Sequence, residues 1–328
     1  MVEELAGHAD KAKPARSLRA GVTPGRRAYA GRLVVVTGAG AGIGRATARA
    51  FAAHGAEVIC ADLDAEAAAR TAEGIVKDLG TYAAERTDMY ATEDTAEDTA
   101  EDTVRDVAGT AHASAVDVAD AARMEAFARD VRDRHGVPDI VVNNAGIAVV
   151  GGFFDHSLDD WRKTFDVNLW GVLHGCRLFA AQMVERGQGG HIVNVASAAA
   201  FIPTRVLPAY SVSKAAVKTL SDCLRAELAG HGIGVSAICP GFVSTTIARN
   251  AVYVGNLSQE VSEEALRRRG YPPERVAAHI LRAVHRNQAV VPVNPEGHLG
   301  YALSRISPAA VRGLARLARL PGNPHVRR

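Results

Sequence analysis

Short apolar runs alternate with longer amphipathic stretches along most of the chain. Seven of these runs have the length of buried strands: "GRLVVVTG", "AEVICAD", "ASAVDV", "DIVVNNAG", "GHIVNVAS", "GVSAICPG" and "QAVVPV". Helical patterns separate most of them, among them "GRATARAFAAHG", which we expect to end at Gly55. Strands that alternate with helices pair in parallel through crossover helices. We therefore predict an α/β fold, a single doubly wound domain whose seven-stranded, mostly parallel sheet carries helices on both faces.

The predicted domain spans residues 31–295, which contain all seven strands. Residues 1–30 are rich in Ala, Arg, Lys and Gly without sustained periodicity, which predicts a flexible basic tail. Residues 296–328 form a C-terminal extension in which "SPAAVRGLARLARL" sets Val311 and leucines on one side and arginines on another. This pattern predicts a short amphipathic basic helix that covers the core or a neighbouring subunit. Contact of that helix with an anionic membrane surface is the alternative.

An acidic repeat lies in the stretch of about residues 80–112, between the second helix and the third strand. It reads "TEDTAEDTAEDT" at 92–103, and its carboxylates recur every four residues, so they would repel each other along a helix. The alternating ligands and the glycine of an EF-hand are missing, which favours a solvated insertion over a calcium site. The second helix returns the chain to the end of the sheet opposite the ligand-binding carboxyl ends of the strands. The insertion should therefore lie away from the functional site.

Composition mainly excludes classes of function. The formal net charge of the 328 residues is +2, which is too small to favour nucleic acid, so we expect a small-molecule ligand. The cysteines are widely spaced, which is typical of reduced thiols in a cytoplasmic protein rather than of disulfides or zinc ligands. The N-terminus has no apolar signal segment, and the histidines form no H-E-x-x-H pattern. We therefore expect a cytoplasmic protein with no metal site.

Glycines cluster between the first strand and the first helix, in "TGAGAGIG". Gly38, Gly42 and Gly44 allow the backbone to turn sharply and to approach a pyrophosphate, whose charge the helix N-terminus stabilises. Asp62 follows at the end of the second strand, where a carboxylate accepts hydrogen bonds from ribose hydroxyls and repels a 2′-phosphate. This combination predicts a dinucleotide site that prefers NAD to NADP.

Two neighbouring features keep an alternative open at this site. Asp62 could instead begin the turn "DLD", in which Asp64 would cap the second helix. Arg45 lies close enough to the glycine loop to tolerate a phosphate, which would favour NADP. The preference for NAD therefore depends on where the Asp62 carboxylate lies.

Tyr210 and Lys214, in "YSVSK", lie four residues apart and so share one face of a helix. A free phenol has a pKa near 10 and is a poor base at neutral pH. A nearby ammonium group lowers that pKa and allows proton exchange with an alcohol. The spacing is common on helix surfaces, so the surrounding motifs decide its meaning.

Taken in order, "TGAGAGIG", "NNAG", "DVNLWG", "HIVNVAS", "YSVSK" and "ICPGFVSTTI" closely resemble the classical short-chain dehydrogenase/reductase family over about residues 31–295, except around 80–112. The resemblance implies a Rossmann-type fold and an NAD(P)-dependent hydride transfer in which Tyr210 is the general acid/base. It implies that Lys214 lowers the pKa of that tyrosine and holds the nicotinamide ribose. Ser197 would orient the substrate oxygen, and Asn168 would hold a water for proton relay. A turn-capping serine and a buried structural amide are the alternatives for the last two.

The resemblance also implies a set of cofactor contacts that runs from the adenine (117–118) past the adenosine ribose (144–146) to the nicotinamide (240–245). In the last range, Val243 and Thr245 would contact the nicotinamide carboxamide, and Thr246 is the alternative for that contact. Asn143 is expected to tie neighbouring strands together. The implied cofactor residues are Gly38, Gly42, Ile43, Gly44, Asp62, Asp117, Val118, Asn144, Ala145, Gly146, Tyr210, Lys214, Pro240, Gly241, Val243 and Thr245.

Three apolar stretches follow strands four, five and six, where members of the family bind substrate. They offer Val149, Val150, Phe153, Phe154, Phe201, Ile202, Val206, Leu207, Val252 and Tyr253. These side chains favour a hydrophobic secondary alcohol or ketone over a sugar or an acid. The alternative is that several of them close the core or a subunit contact. Helical patterns at about 158–186 and 210–230 resemble the family's dimer-forming pair, which predicts a homodimer or homotetramer.

Two other functions remain open. A protein of this fold could bind NAD and serve as a sensor or structural partner, although the presence of all four implied catalytic residues disfavours that role. An isomerase or dehydratase could use the same Tyr210 and Lys214 pair. That chemistry usually requires a larger sugar-nucleotide domain, for which the residues after the last strand are too few.

Overall fold

The computed structural model describes residues 28–90, 109–245, 247, 249–255, 259–260, 264, 270–307, 309, 311 and 313, with the side chains of 82–90 excepted. The strands in these ranges are β1 (Leu33–Thr37), β2 (Glu57–Asp62), β3 (Thr110–Ala115), β4 (Ile140–Asn143), β5 (Val149–Val150), β6 (Gly190–Val195), β7 (Ile233–Cys239), β8 (Val252–Tyr253) and β9 (Val290–Pro292). The helices are α1 (Gly42–Ala53), α2 (Ala65–Tyr90), α3 (Ala121–His135), α4 (Leu158–Phe165), α5 (Gly171–Arg186), α6 (Pro208–Leu228), α7 (Pro273–His285) and α8 (Pro295–Ile306).

Seven strands form one sheet in the order β3-β2-β1-β4-β6-β7-β9. Every neighbouring pair in this sheet is parallel, with Val35 of β1 opposite Ile59 of β2 and Val141 of β4. The predicted α/β fold with seven strands is therefore confirmed, and the sheet is wholly parallel. β3 begins at Thr110, earlier than the predicted run "ASAVDV". A separate parallel pair, β5 with β8, was not predicted because each strand has only two residues.

Alternate residues of the central strands face two separate cores, as a sheet covered on both sides requires. Val34 and Val36 of β1 face the core that contains Phe51 of α1 and Ile280 of α7. Val35, between them, faces the core that contains Phe179 of α5. The near-continuous apolar runs in the sequence arise because both faces of each central strand are buried.

The N-terminal end of the described chain is part of the core. Tyr29 is 2% exposed; its ring packs edge-on against Phe51 with 4.9 Å between centroids, and its hydroxyl donates to the Leu281 carbonyl at 2.6 Å. The predicted tail of residues 1–30 therefore overlaps the folded domain at this residue, because a single aromatic side chain carries no periodicity. Residues 1–27 of that tail lie outside the described residues.

The acidic repeat at 92–103 also lies outside the described residues, but the elements on either side are present. α2 extends to Tyr90, and β3 begins at Thr110, so the stretch predicted as an insertion at about 80–112 overlaps both elements. Since β2 and β3 are parallel, α2 leads from the carboxyl edge of the sheet back to the amino edge. This path of α2 is consistent with the expectation that the insertion lies away from the carboxyl ends of the strands.

The domain continues beyond the predicted boundary at residue 295. α8 packs against the segment after β6, where the ring centroids of Tyr301 and Phe201 are 5.1 Å apart and a Cβ on Gly300 would lie 2.8 Å from Ile202. In the predicted amphipathic segment at 307–320, Val311 is buried, and most of the other residues lie outside the described ranges. Among the described helices, none has both the length and the apolar character needed to cross a membrane.

Candidate active site

The loop between β1 and α1 packs too closely to admit side chains. A Cβ on Gly44 would collide with the Gly38 carbonyl oxygen, and a Cβ on Gly38 would lie 2.9 Å from the Cα of Ala145. Gly42 has a φ of +52°, in the left-handed region that favours glycine. The N-cap residue Ala41 has no polar side chain that could cap the first amides of α1, and the first turn of α1 is free of acidic residues. Helix amides here suit the pyrophosphate of a dinucleotide, so the loop fits the implied cofactor.

The two aspartates after β2 have different partners. The Asp62 carboxylate accepts hydrogen bonds from the Gly40 amide at 2.7 Å and from the Asp64 amide at 3.0 Å. Asp64 in turn caps α2, because its Oδ1 accepts from the Ala67 amide at 3.0 Å. The capping alternative is thus correct for Asp64, while the partly exposed carboxylate of Asp62 lies against the glycine loop.

Arg45, the residue that could tolerate a phosphate, is already engaged by the protein. Its guanidinium donates to the Gly40 carbonyl and, at 3.3 Å, to the hydroxyl of Thr71 on α2. The Thr71 hydroxyl lies 3.0 Å from the Ala39 and Ala67 carbonyl oxygens and shares its single proton between them. Arg45 therefore holds the glycine loop to α2 in this structure, and a 2′-phosphate would have to compete with these partners.

Thr37 ties the turn after β4 to the glycine loop, and no motif in the sequence predicts this role for it. The Thr37 hydroxyl accepts from the Asn144 amide at 3.0 Å and from the Ala145 amide at 3.2 Å. The Asn144 side chain donates to the Thr37 carbonyl at 2.9 Å and to the Gly38 carbonyl at 3.2 Å. Asn143 donates to Asn194 of the adjacent strand at 2.9 Å, which confirms its expected role between strands.

Tyr210 and Lys214 lie one turn apart near the start of α6, where Pro208 occupies the first turn. The Lys214 ammonium is buried, donates to the Val195 carbonyl at 2.9 Å, and lies 5.7 Å from the centre of the Tyr210 ring. A side-chain hydrogen bond joins the Tyr210 phenol to Ser197, which is also buried. The fold therefore assembles Ser197, Tyr210 and Lys214, which the family resemblance singled out.

Burial shifts both titratable groups toward their neutral forms. The pKa of Tyr210 is raised by desolvation, and the hydrogen bond from Ser197 opposes that rise. Desolvation also lowers the pKa of Lys214 to about 8. The family resemblance implies that Lys214 lowers the pKa of Tyr210, whereas in this structure that pKa is raised. Desolvation dominates, and the Lys214 ammonium is hydrogen-bonded to a backbone carbonyl.

Asn168 lies in a single turn of π-helix, Asp166–Trp170, which joins α4 to α5; such turns are frequent at functional sites. Its side chain accepts from the Ile147 amide at 2.8 Å and donates to the Ile147 carbonyl at 2.9 Å and to Ser213 at 3.2 Å. A Cβ on Gly146 would lie 3.2 Å from Asn168 Oδ1 and 3.3 Å from Lys214 Nζ. Asn168 is thus a buried structural amide beside Lys214, and its water-holding role stays a prediction.

The loop after β7 is held in place by α8. The Gly241 amide donates to Asn294 at 2.9 Å, and the Asn294 side chain donates to the Phe242 carbonyl at 3.0 Å. Glu296 accepts from the Phe242 amide at 3.1 Å. "NPE" at 294–296 is a helix-start pattern, but nothing in the sequence indicates that this start would contact the Pro240 loop.

The remaining residues of this loop approach the other parts of the site. The Pro240 carbonyl accepts from the Ala198 amide at 2.8 Å, next to Ser197. Thr245 lies close to the glycine loop, since a Cβ on Gly42 would be 3.1 Å from its side chain. Val243 is buried and pairs with Tyr271. Thr246, the competing choice for the carboxamide contact, lies outside the described residues.

The predicted adenine contacts follow β3. Asp117 accepts from the Ala119 amide at 3.0 Å and is partly exposed. Val118 is buried beneath Gly171, where a Cβ would lie 2.7 Å from its Cγ2. Ile43, at the start of α1, packs against the hydrophobic core. Adenine contact by these residues stays a prediction.

The three apolar stretches meet beside α6. β5 and β8 pair through Val149 with Val252, and the Gly151 amide donates to the Val206 carbonyl at 2.9 Å. Val149 and Phe201 are buried and belong to the packed interior, which agrees with the core-closing alternative for these two. The other apolar residues of the three stretches, among them Phe154, which is 97% exposed, stay candidates for substrate contact.

Comparison with known proteins agrees with this geometry. A family model described as short chain dehydrogenase matches residues 32–107 and 73–253. "Probable oxidoreductase EphD" of Mycobacterium tuberculosis is 42% identical over 325 residues, which are 96% of this chain and 50% of that protein. The chain thus spans about half the length of that relative. D-threitol dehydrogenase of Mycolicibacterium smegmatis is 35% identical over 221 residues, 67% of this chain and 74% of that protein.

A solved structure is similar over most of the fold. The short chain dehydrogenase/reductase from Burkholderia phymatum in complex with NAD has a TM-score of 0.67 and 27% identity, and the match covers 90% of this chain and 98% of that one. Members of this family bind NAD(P) and transfer hydride, which is the chemistry that the assembled glycine loop, Ser197, Tyr210 and Lys214 suit. The chain therefore belongs to the short-chain dehydrogenase family.

Proposed function

We propose that this protein transfers hydride between NAD and a hydrophobic secondary alcohol or ketone. The observation that carries the proposal is the contact between Ser197 and Tyr210, with the buried ammonium of Lys214 5.7 Å from the centre of the Tyr210 ring. The glycine loop, which suits a pyrophosphate, supports it. A bound nicotinamide would supply or accept the hydride. The protein's own residues would orient the substrate oxygen and move its proton.

Each of the three residues has a separate task in this proposal. Ser197 and Tyr210 would both hydrogen-bond the substrate oxygen, which holds the reacting carbon in one orientation. Tyr210 would donate the proton to a forming alkoxide or remove it from an alcohol. Lys214 would hold the ribose hydroxyls of the nicotinamide nucleotide, and its charge would favour the phenolate.

The preference for NAD is supported by the positions of Asp62 and Arg45. The Asp62 carboxylate lies at the carboxyl end of β2 against Gly40, where it would accept from ribose hydroxyls and repel a 2′-phosphate. The Arg45 guanidinium is bonded to Gly40 and Thr71. We expect Asp62→Ala to reduce the ratio of kcat/KM for NAD to that for NADP by at least tenfold.

A hydrophobic substrate is supported by the exposed apolar side chains of the stretch that follows β5, such as Phe153 and Phe154, which are 61% and 97% exposed. A polyol is the second candidate, because the relative from Mycolicibacterium smegmatis is by name a D-threitol dehydrogenase. The two classes make opposite demands on these side chains, since a polyol requires polar partners.

One experiment tests the reaction and the substrate class together. Purified protein is mixed with NAD or NADP and with matched panels of hydrophobic secondary alcohols and polyols, and nicotinamide absorbance is followed. We expect turnover with NAD and hydrophobic alcohols, and its loss by at least a thousandfold in Tyr210→Phe. The sensor or structural role would be favoured if NAD bound without any turnover. The isomerase or dehydratase alternative would be favoured by product formation without net change in nicotinamide absorbance.

A further inference from the structure

Three metal-ligating side chains meet at the amino edge of the sheet. Glu57 is the first residue of β2, His112 lies in β3, and His135 is the last residue of α3. Their ligand atoms all lie within 4.8 Å of one another. Asp62, which marks the cofactor side, lies at the other end of β2, about 17 Å away at 3.3 Å per strand residue. The cluster is therefore separate from the candidate active site.

The three side chains point to a common place because of the sheet register. Residue 57 pairs with Thr110 and Ile59 pairs with His112, so Glu57 and His112 lie on the same face of the sheet. Ile59 on that face belongs to the core that includes Val131 of α3, and α3 ends above the pair at His135. Packing of the helix thus brings an imidazole to two residues that the strands already align.

The distances are close to those of a coordination sphere. Glu57 Oε1 lies 2.7 Å from His135 Nδ1 and 3.3 Å from His112 Nε2. In a tetrahedral Zn²⁺ site with bonds of roughly 2.0–2.1 Å, neighbouring ligand atoms are about 3.3–3.4 Å apart. The two imidazole rings are 4.6 Å apart between centroids, with 50° between their planes. Small side-chain rotations would bring all three atoms onto one ion.

The surroundings allow an ion to enter and still hold its ligands. The His135 side chain is only 12% exposed, which restricts its motion, while those of Glu57 and His112 are 37% and 43% exposed. Two imidazoles and one carboxylate suit Zn²⁺ and similar divalent transition metals, whereas Mg²⁺ and Ca²⁺ prefer sites built from oxygen alone. Three protein ligands leave a fourth position for water.

We propose that Glu57, His112 and His135 form a binding site for a divalent transition-metal ion such as Zn²⁺. The ion would link β2, β3 and α3, and it would stabilise the folded protein by mass action. The sequence predicts no metal site, because the ligands lie as much as 78 positions apart in the chain and form no motif. Hydride transfer does not depend on this site.

The test uses the untagged protein with Zn²⁺ alone, followed by calorimetry and by thermal unfolding. We expect one ion bound per chain at this site and a rise in the unfolding midpoint that grows with free Zn²⁺. His112→Gln and His135→Gln should each weaken the affinity at least tenfold, since loss of residues that merely support a ligand already costs roughly tenfold to a hundredfold. Absorption of bound Co²⁺ in the visible range should disappear with the same substitutions.

Two variants provide matched controls. His231→Gln removes an exposed histidine elsewhere on the surface, and Cys223→Ser removes an exposed thiol, which is another group attractive to Zn²⁺. Both controls should retain the affinity of the unsubstituted protein. The proposal is wrong if the protein binds no Zn²⁺, or if His112→Gln and His135→Gln, with unchanged circular dichroism, retain the original affinity. None of these measurements requires turnover, so their outcome does not depend on whether the proposed hydride transfer occurs.

Discussion

His191 is a buried histidine whose neutral form the fold requires. Desolvation and the nearby charge of Arg225 lower its pKa to about 3. Its Nε2 lies 2.8 Å from the Ser236 hydroxyl. Because that hydroxyl donates its own proton to the Gln288 carbonyl, it must accept from Nε2–H, and this requirement sets the tautomer of the imidazole.

This burial predicts a specific loss of stability in acid. Between pH 6.5, the ordinary pKa, and about 3, the unfolded chain binds a proton that the folded protein excludes, so stability rises with pH in this window. His191 should contribute a slope of up to about 1.4 kcal/mol per pH unit. Denaturant unfolding from pH 4 to 7 should show a smaller slope in His191→Gln and an unchanged slope in His231→Gln. Equal slopes in all three proteins would contradict the assignment.

The raised pKa of Tyr210 predicts the pH dependence of the proposed reaction. A phenol whose pKa lies above 10 is protonated at neutral pH, so the acid needed for ketone reduction is present there. The base needed for alcohol oxidation accumulates only as the pH rises. With saturating NAD, kcat/KM for oxidation should therefore increase from pH 7 to pH 10. With saturating NADH, kcat/KM for ketone reduction should stay within about twofold over the same range, because the phenol is still mostly protonated at pH 10. An oxidation rate that is independent of pH over this range would contradict the role of Tyr210.

At the scale of elements, the site depends on how α8 holds the loop after β7. Asn294 makes two hydrogen bonds to that loop, through Gly241 and Phe242. Each is worth about 1 kcal/mol, so Asn294→Ala should weaken NAD binding by up to about thirtyfold by releasing the loop. Asn294→Asp keeps the acceptor and loses the donor, and it should give an intermediate dissociation constant in calorimetry. Identical NAD affinity in all three proteins would show that the loop position does not depend on α8.

At the scale of the whole molecule, α2 leads toward the amino edge of the sheet and β3 begins there, whereas the glycine loop, Ser197 and Tyr210 lie at the carboxyl edge. We expect the acidic repeat, which lies between α2 and β3 in the chain, to be remote from the candidate active site. Deletion of residues 88–104 should therefore leave kcat/KM within about twofold of the full chain, once a substrate is known. A folded deletion variant that lost activity would place the repeat in the catalytic cycle.

Assembly is also predicted at this scale. Trp170 and Val212 are 50% and 48% exposed on the helical segments that resemble the family's dimer-forming pair. Burial of such side chains between subunits would be favourable at roughly 25 cal/mol per Å². We expect a dimer or tetramer by light scattering, dissociation in Trp170→Glu, and no change in the control Val76→Glu, whose side chain is similarly exposed on α2. A monomeric unsubstituted protein would contradict this prediction.

The sequence by itself determined the seven strands, their alternation with helices and the identity of Gly38, Ser197, Tyr210 and Lys214 as candidates. Periodicity and short motifs are local features, so they can be identified without knowledge of the fold. A single buried residue or a two-residue strand has no such pattern, which is why the sequence does not predict the burial of Tyr29 or the strands β5 and β8. The cofactor and catalytic roles of the candidate residues stay predictions.

Only the tertiary structure decided which side chains act together. It separated Asp62 at the glycine loop from Asp64 at the cap of α2, and it brought Asn294 to the loop after β7. It also brought Glu57, His112 and His135 to one place. Such groupings depend on strand register and helix packing between segments far apart in the chain. Burial has the same origin, which explains why the Tyr210 pKa moved opposite to the shift that the spacing to Lys214 suggested.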